Sequence, residues 1–452
     1  MVCREWRRVV LSTPTLWNDL HIPVVPSAHI IPTLRAWLDY SRPLPVDYAV
    51  DFRHSYISLS SQNSYMKMMC AHAQRWRNVY VGLNYEQSMD TLARLLKPGS
   101  LPNLREIRLR LKPGYISANF EELAQHASWA LFTVINSCEA LQTLAWECSA
   151  IESLASLSSR SIRHLYISLE LEDARQPFHV STLERCFSQC PSLVSINIRL
   201  SLAAEAIVIS DSESSPPLLV SHVYTLSVVT SDFNVLASLL VRIRFSCVEN
   251  LHLYVGTGGD ASQLAHRFHT LFLDSSSSLK KVELDSDEVI SHPHLTSALT
   301  SLPNLTSLIF HNIYNPTLLI GLFKALTLRF SPSGRLLSSQ NVALEHISLE
   351  VCYTTVLDAF EIKPETAQPM IEDFFAVLVN LVLSRRKLPE NAVSFEGSEV
   401  HPLVTFEVGE FFVDIYKHNY ASIWPERWPI IEQGWKDMDG IVKFPPSEDD
   451  SE

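Results

Sequence analysis

The sequence predicts an α/β repeat solenoid, a horseshoe with parallel strands on its concave face and helices on its convex face. Three observations predict it. One apolar pattern recurs down the chain: an apolar residue, two variable positions, a second apolar residue, one variable position and a third. Segments with helical periodicity separate the recurrences, and prolines stand at several helix-to-strand passages. The pattern opens at Trp76-Val79-Val81 and returns as Leu104-Ile107-Leu109, Leu141-Leu144-Trp146, Ile162-Leu165-Ile167, Leu193-Ile196-Ile198 and Val223-Leu226-Val228. It continues as Val248-Leu251-Leu253, Leu279-Val282-Leu284, Leu305-Leu308-Phe310 and Leu344-Ile347-Leu349. The mean period is about 30 residues, a spacing at which each unit buries its apolar side by stacking on its neighbours. Length alone would suggest two or three domains for 452 residues. A repeat array grows in one dimension and needs no second core.

The elements follow in order. Each triplet, bounded by polar or turn residues, reads as a short strand buried on both faces. Two earlier segments extend the array: Trp17-Leu20-Ile22 has the same spacing, and Leu44-Val46-Tyr48-Val50-Phe52 alternates as a strand does. Helical periodicity covers 120–137, 232–245, 260–273, 288–299, 317–330 and 369–383. In 232–245 the residues Phe233, Leu236, Leu240 and Ile243 form one stripe. Pro102, Pro191 and Pro303 each precede a strand and end the helix before it, because proline donates no helical hydrogen bond. Strand–helix–strand units in succession favour parallel strands with right-handed crossovers. The intervals between triplets are uneven, so the predicted curvature is irregular. Residues 210–217 (SDSESSPP) and 331–341 (SPSGRLLSSQN) read as loops, and 445–452 (PPSEDDSE) as a disordered acidic tail.

Composition narrows the function. A net charge of −13 argues against a nucleic-acid binder, which carries basic stripes against phosphate. The eight cysteines are scattered without a C-x-x-C pair, and Cys186 and Cys190 are spaced for one helix face. All eight are expected to be reduced thiols in a cytoplasmic or nuclear protein. The first residues lack a signal-peptide apolar run, and stretches such as 376–383 are far shorter than the roughly 20 residues of a membrane span, so no membrane partner is expected.

Motifs for chemistry are sparse. Gly256, Gly258 and Ala261 match G-x-G-x-x-A after a strand, with Asp285 ending the next one. Asp260 and Gln263 explain the same segment as a capping box beside a tight turn. His266 and His269 are three apart on a predicted helix, and His292 and His294 flank a proline. Zinc needs three or four converging ligands, so these histidines are expected to be singly solvated. No G-x-S-x-G elbow occurs. Glu283 and Asp285 share one strand face and are expected to be surface carboxylates rather than a catalytic pair. The expectations are therefore no enzyme activity, no cofactor, no metal and no small-molecule ligand. Binding is assigned to the variable strand positions of the concave face, above all Arg108, Tyr166, Asn197, His252, Glu283 and His346. Their mix of polar, aromatic and charged types suits an unidentified protein partner.

Two resemblances sharpen this reading. The apolar spacing resembles leucine-rich repeats, although the usual Asn or Cys three positions after the third apolar residue is replaced by Lys112, Gly256 and Ile313. The first residues, Val2, Cys3, Arg4, Trp6, Arg7, then Leu11-Ser12-Thr13-Pro14 and Leu16-Trp17, resemble the second half of an F-box as found in F-box-like proteins of fungi. That resemblance implies a helical segment docking the Skp-type adaptor of a cullin–RING ubiquitin ligase, with repeats that present a protein substrate. It places adaptor docking on Val2, Cys3, Trp6, Val9, Val10, Leu16 and Trp17. The first half of the motif, opening on Leu-Pro, is expected to be missing before Met1. A second role for the same stripe is to cap the first repeat. The expected layout is a partial F-box-like segment at 1–22, an irregular leucine-rich-repeat-like solenoid at 23–415, a cap at 416–444 and the tail at 445–452. The implied function is a substrate-recognition subunit of a Skp–cullin–F-box ligase. The alternative is a stand-alone repeat scaffold without adaptor contact.

Overall fold

No side chain of the ten triplets is more than 2% exposed, and from Leu104 to Leu344 every first residue is completely buried. This is the core of the α/β fold seen in the computed structural model. The structure describes residues 3–22, 30–41, 43–53, 58–84, 86–111, 118–148, 151–170, 178–201, 207–208, 216–256, 261–285, 287–290, 292–313, 316–338, 341–351, 364–386, 388–389, 392, 400–408 and 442–443. The chain divides into two units, Met1–Val223 and Tyr224–Glu452, and each is taken by itself.

The first unit carries strands β1 (Asp19–Ile22), β2 (Val46–Asp51), β3 (Trp76–Leu83), β4 (Glu106–Leu111), β5 (Thr143–Glu147), β6 (His164–Glu170) and β7 (Ser195–Ser201). Each pairs with the next in parallel. Helices α1 (Arg4–Leu11), α2 (Ile30–Tyr40), α3 (Leu59–Cys70), α4 (Glu86–Leu95), α5 (Ala118–Asn136) and α6 (Val180–Gln189) accompany them, with a 3-10 turn at Ile151–Ser156 after β5. The second unit has β8 (Thr225–Thr230), β9 (Asn250–Val255), β10 (Lys281–Asp285), β11 (Ser307–Ile313), β12 (His346–Val351), β13 (Thr405–Val408) and β14 (Val442–Lys443), again parallel throughout. Its helices are α7 (Phe233–Arg242), α8 (Ala261–Asp274), α9 (Pro293–Thr300), α10 (Ile320–Leu326) and α11 (Pro364–Arg386).

The register explains the triplet. Ile107 pairs with Leu144 and Leu109 with Trp146, and the same match of second and third positions continues from strand to strand. Side chains alternate across a strand, so these positions share one face. The intervening positions do not. In β4 the residues Glu106, Arg108 and Arg110 are partly or fully exposed between buried Ile107, Leu109 and Leu111. The expectation of strands buried on both faces is therefore corrected: the triplet face is sealed and the other face meets solvent.

Several boundaries also shift. The stripe through 232–245 ends as a helix at Arg242, because Ile243–Phe245 turns into a short strand. The helix expected at 288–299 is split, with α9 starting at Pro293, which stands at its first position where no amide is needed. Segment 317–330 holds a 3-10 turn, α10 and a short strand, Arg329–Phe330, which pairs antiparallel with Leu336–Ser338. The loop expected at 331–341 is thus partly a hairpin, turned by Gly334 at φ 82. In the first unit the strands begin inside 1–22, with Leu20 and Ile22 buried in β1, and in the second unit the last described strand is β14 at 442–443. The remainder of 416–444, the tail 445–452, most of 210–217, and Val2, Gly258 and Asp260 lie outside the described residues.

The missing amide ladder has a partial counterpart at the other end of the strands. In both Leu-Pro-Asn-Leu turns the asparagine reaches back to the preceding repeat. Asn103 donates to Gln74 O and Asn304 to Ser277 O, each at 2.8 Å. Ser161 donates likewise to Cys138 O and Ser278 to Val248 O. Seven described cysteines are free thiols, and burial pushes those of Cys70 and Cys148 up to about 12. Among the described residues no helix is long and apolar enough to cross a membrane.

These contacts rank in energy. Leu305→Ala leaves a cavity at a fully closed site and should cost about 2–5 kcal/mol. The adjacent Asn304→Ala removes one exposed hydrogen bond, worth about 1 kcal/mol. Urea unfolding of both variants checks the order, and equal losses would contradict it.

Candidate functional site

The open strand positions form a surface in each unit, built by the same alternation that buries the triplets. In the first unit, register places Tyr80, Arg108, Ala145, Tyr166 and Asn197 in one row across β3 to β7. Arg108, Tyr166 and Asn197 are thereby brought into line. Arg108 is exposed and bonds Glu106 at 2.5 Å. Ala145, expected at the surface, is instead buried, being too short to rise between Arg108 and Tyr166.

A polar cluster that sequence reasoning did not anticipate lies beside this row. Asp51, at the end of β2, accepts from Arg53 Nε at 2.9 Å and from Tyr80 Oη at 2.9 Å, while Arg53 Nη2 donates to Tyr80 at 2.8 Å. Gly82 makes room for it, since a Cβ there would stand 2.3 Å from Asp51 Oδ1. Burial alone would raise the Asp51 carboxyl, but the hydrogen bonds from Arg53 and Tyr80 outweigh it and hold the group at about 2. Arg110 pairs with Glu147 at 2.6 Å, and Arg77 Nε with Asp47 at 2.8 Å. Asp-x-Arg at 51–53 was readable as a local pair; its closure by Tyr80, 27 residues on, was not.

In the second unit the assembly centres on Glu283. Its Oε2 stands 4.0 Å from His252 Nδ1 and 3.7 Å from His311 Nε2, and Lys281 Nζ pairs with Oε1 at 2.5 Å. His311 Nδ1 also meets Glu350 at 2.7 Å, and Ser227 Oγ lies 3.3 Å from His252 Nδ1. So His252 and Glu283 are neighbours, as β9 and β10 require. His346 is in a different row, opposite Ser307 and bonded to Thr405 at 2.5 Å. Asp285 is 8% exposed and accepts from Asn312 Nδ2 at 2.7 Å. Asn312 has φ 49 at the irregularity between Phe310 and Ile313, a backbone state that asparagine tolerates.

Burial raises the Asp285 carboxyl despite that bond and lowers the His252 imidazole despite Glu283. Burial would also raise Glu283, but Lys281 and the two histidines bring it below the usual range. Among the described residues no three His, Cys, Asp or Glu side chains form a metal-ligand set. The surface histidines are not solitary, however. The ring of His294 lies 6.2 Å from that of His266 and 6.5 Å from His269, because α8 and α9 pack side by side, and 5.2 Å from that of His292, the cap residue of α9.

A third surface is α1 with the turn after it. Cys3, capping α1 by accepting from Trp6 N, is exposed, as are Trp6 (65%), Val9 (46%) and Leu16 (55%). Val10 is half-buried, and no residue of α1 is buried. Trp17 differs from the expectation that placed it with the docking stripe. It is the first residue of the triplet Trp17-Leu20-Ile22, so it turns inward: Nε1 donates to Val10 O at 2.7 Å, and the ring packs against Trp37 at 5.4 Å and Tyr40 at 5.1 Å.

No family model and no curated protein sequence matches this chain. Among solved structures it is similar to a chain in the crystal structure of the Rad7 and Elc1 complex in yeast. The identity is 15% and the TM-score 0.31, over 78% of this chain and 92% of that chain. A likeness this slight carries no functional argument, and the surfaces above stand on their own geometry.

The Asp51 cluster makes a pH-dependent contribution. A carboxyl held below its ordinary 3.8 adds stability above that pH and loses it as pH falls from 3.8 towards 2. Arg53→Met leaves the burial and removes the main counter-force, so the Asp51 pKa should rise above 2 and neutral-pH stability fall by about 1 kcal/mol after solvent screening. Carboxyl-carbon NMR titration reads the first effect. His252 acts in a higher window: with its folded pKa below 6.5, stability declines as pH drops beneath 6.5, and His252→Gln should flatten that decline in urea titrations.

Proposed function

We propose that this chain is a non-catalytic interaction protein, an F-box-like, leucine-rich-repeat-like solenoid that recruits a protein substrate for ubiquitination. The observation that carries the reading is the exposure of Trp6, Val9 and Leu16 on and beside α1. Leaving such side chains in water forgoes roughly 1.5–3 kcal/mol apiece of available burial, and grouped exposed apolar residues mark interaction sites. The alternative role of α1 as a buried cap would place those residues against the first repeat, whereas that work falls to Trp17. In this reading α1 meets a Skp-type adaptor, and the row Arg108, Tyr166 and Asn197 meets the substrate, as do His252 and Glu283.

A second reading is a scaffold that binds its partner without an adaptor. It draws on Trp17, which ties α1 to α2 through Val10, Trp37 and Tyr40, so that α1 is anchored with no partner present. The two readings separate in co-expression with a Skp-type adaptor followed by size-exclusion chromatography. The ligase reading expects a stable complex that Trp6→Asp and Leu16→Asp each weaken at least tenfold. An adaptor that never co-elutes with the wild-type chain, while that chain alone stays monomeric, favours the scaffold. Aggregation of the isolated chain would count against the scaffold.

A further inference from the structure

The helical side of the first unit holds a groove that the sheet surfaces do not use. It has a volume of about 330 Å³ and is lined by Trp129 of α5, Glu152 of the 3-10 turn, and His179, Ser181, Thr182 and Arg185 at the start of α6. Among the described residues, none from β1 to β7 lines it.

Three features at the α6 end lack the partner they call for. His179 occupies the cap position of α6, but its side chain makes no capping hydrogen bond to the amides of the first turn. Thr182 is 6% exposed, and its hydroxyl makes no hydrogen bond among the described residues although it borders the groove. Arg185, one turn on, is exposed and has no carboxylate partner among the described residues. Amides, hydroxyls and a guanidinium fork at one helix start are the donors that bind an oxyanion. The lining contains one opposing charge, Glu152, whose Oε1 stands 3.7 Å from His179 Nε2. Trp129 is 45% exposed and offers an apolar wall.

We infer that this groove binds a phosphate monoester, with the phosphate on the first turn of α6, Thr182 and Arg185, and the ester group against Trp129. A phosphate supplies three acceptor oxygens and close to two negative charges, matching more of the available donors than a carboxylate does. The volume lies near the lower end of small-molecule sites, roughly 300–1,000 Å³, and exceeds what one phosphate fills. The remaining space lies over Trp129 and takes an apolar or ring-bearing group. This departs from the sequence-based expectation of no small-molecule ligand, because no sequence pattern marks an uncapped helix start beside an exposed indole. The same chemistry can arrive on a free small molecule or on a phosphorylated side chain.

The test is calorimetric titration of the full chain with inorganic phosphate, phenyl phosphate and N-acetyl-phosphoserine amide. Both esters should bind more tightly than inorganic phosphate. Thr182→Val and Arg185→Glu should each weaken all three about tenfold or more. Glu152→Gln should tighten them about threefold by removing the opposing charge. Trp129→Ala should erase the advantage of phenyl phosphate and leave inorganic phosphate unchanged. Preference for phosphoserine points to a phosphorylated chain as the source, and preference for phenyl phosphate to a free ring-bearing ester. Unchanged affinity in Arg185→Glu and Glu152→Gln, or no binding of either ester by the wild type, overturns the site. Circular dichroism confirms that each variant is folded.

Discussion

Eight of the ten repeats hang on one backbone hydrogen bond placed directly after a buried anchor. The residue following the first triplet position donates its amide to the carbonyl of the equivalent residue one repeat earlier. Arg105 donates to Arg77, Gln142 to Arg105, Arg163 to Gln142 and Val194 to Arg163. In the second unit Glu249 donates to Tyr224, Lys280 to Glu249, Thr306 to Lys280 and Glu345 to Thr306. All are 2.7–2.9 Å long. The completely buried residue just before each donor locks the start of the strand, and the parallel register follows from that start.

This constraint explains how so irregular an array holds together. The bond from Arg163 to Gln142 closes after 21 residues and that from Glu345 to Thr306 after 39, yet both strands enter the sheet identically. Chain between anchors is free to be a long helix such as α5, a 3-10 turn such as Ile151–Ser156, or the hairpin of Arg329–Phe330 with Leu336–Ser338. Loop closure costs rise only slowly with length. A backbone ladder at the strand start, reinforced by Asn103 and Asn304, also shows why the array tolerates losing the usual amide position at the strand end.

The anchor also organises the surfaces. Because it sets which residues alternate inward, it decides that Arg108, Tyr166 and Asn197 share one row and that His252 meets Glu283. It places Trp17 indoors, since Trp17 precedes Asp47's acceptor, Asn18, as Trp76 precedes Arg77. The apolar groups left outside on α1 are then those that the anchor does not claim.

The sequence by itself determined the repeat, its triplets and the open strand positions, because burial at a period of two and the spacing of anchors are local properties of the chain. It also marked β1 and β2, although their segments lie outside the ten regular triplets. What only the tertiary structure decided was which side chains from different repeats meet. The closure of Asp51 and Arg53 by Tyr80, the pairing of His311 with Glu283, the gathering of four histidines on α8 and α9, and the uncapped groove at α6 all join residues from separate segments. Their separation along the chain depends on helices and loops of unequal length, so no fixed spacing records them. Neighbouring strands bring them together, and that adjacency exists once the anchors are buried.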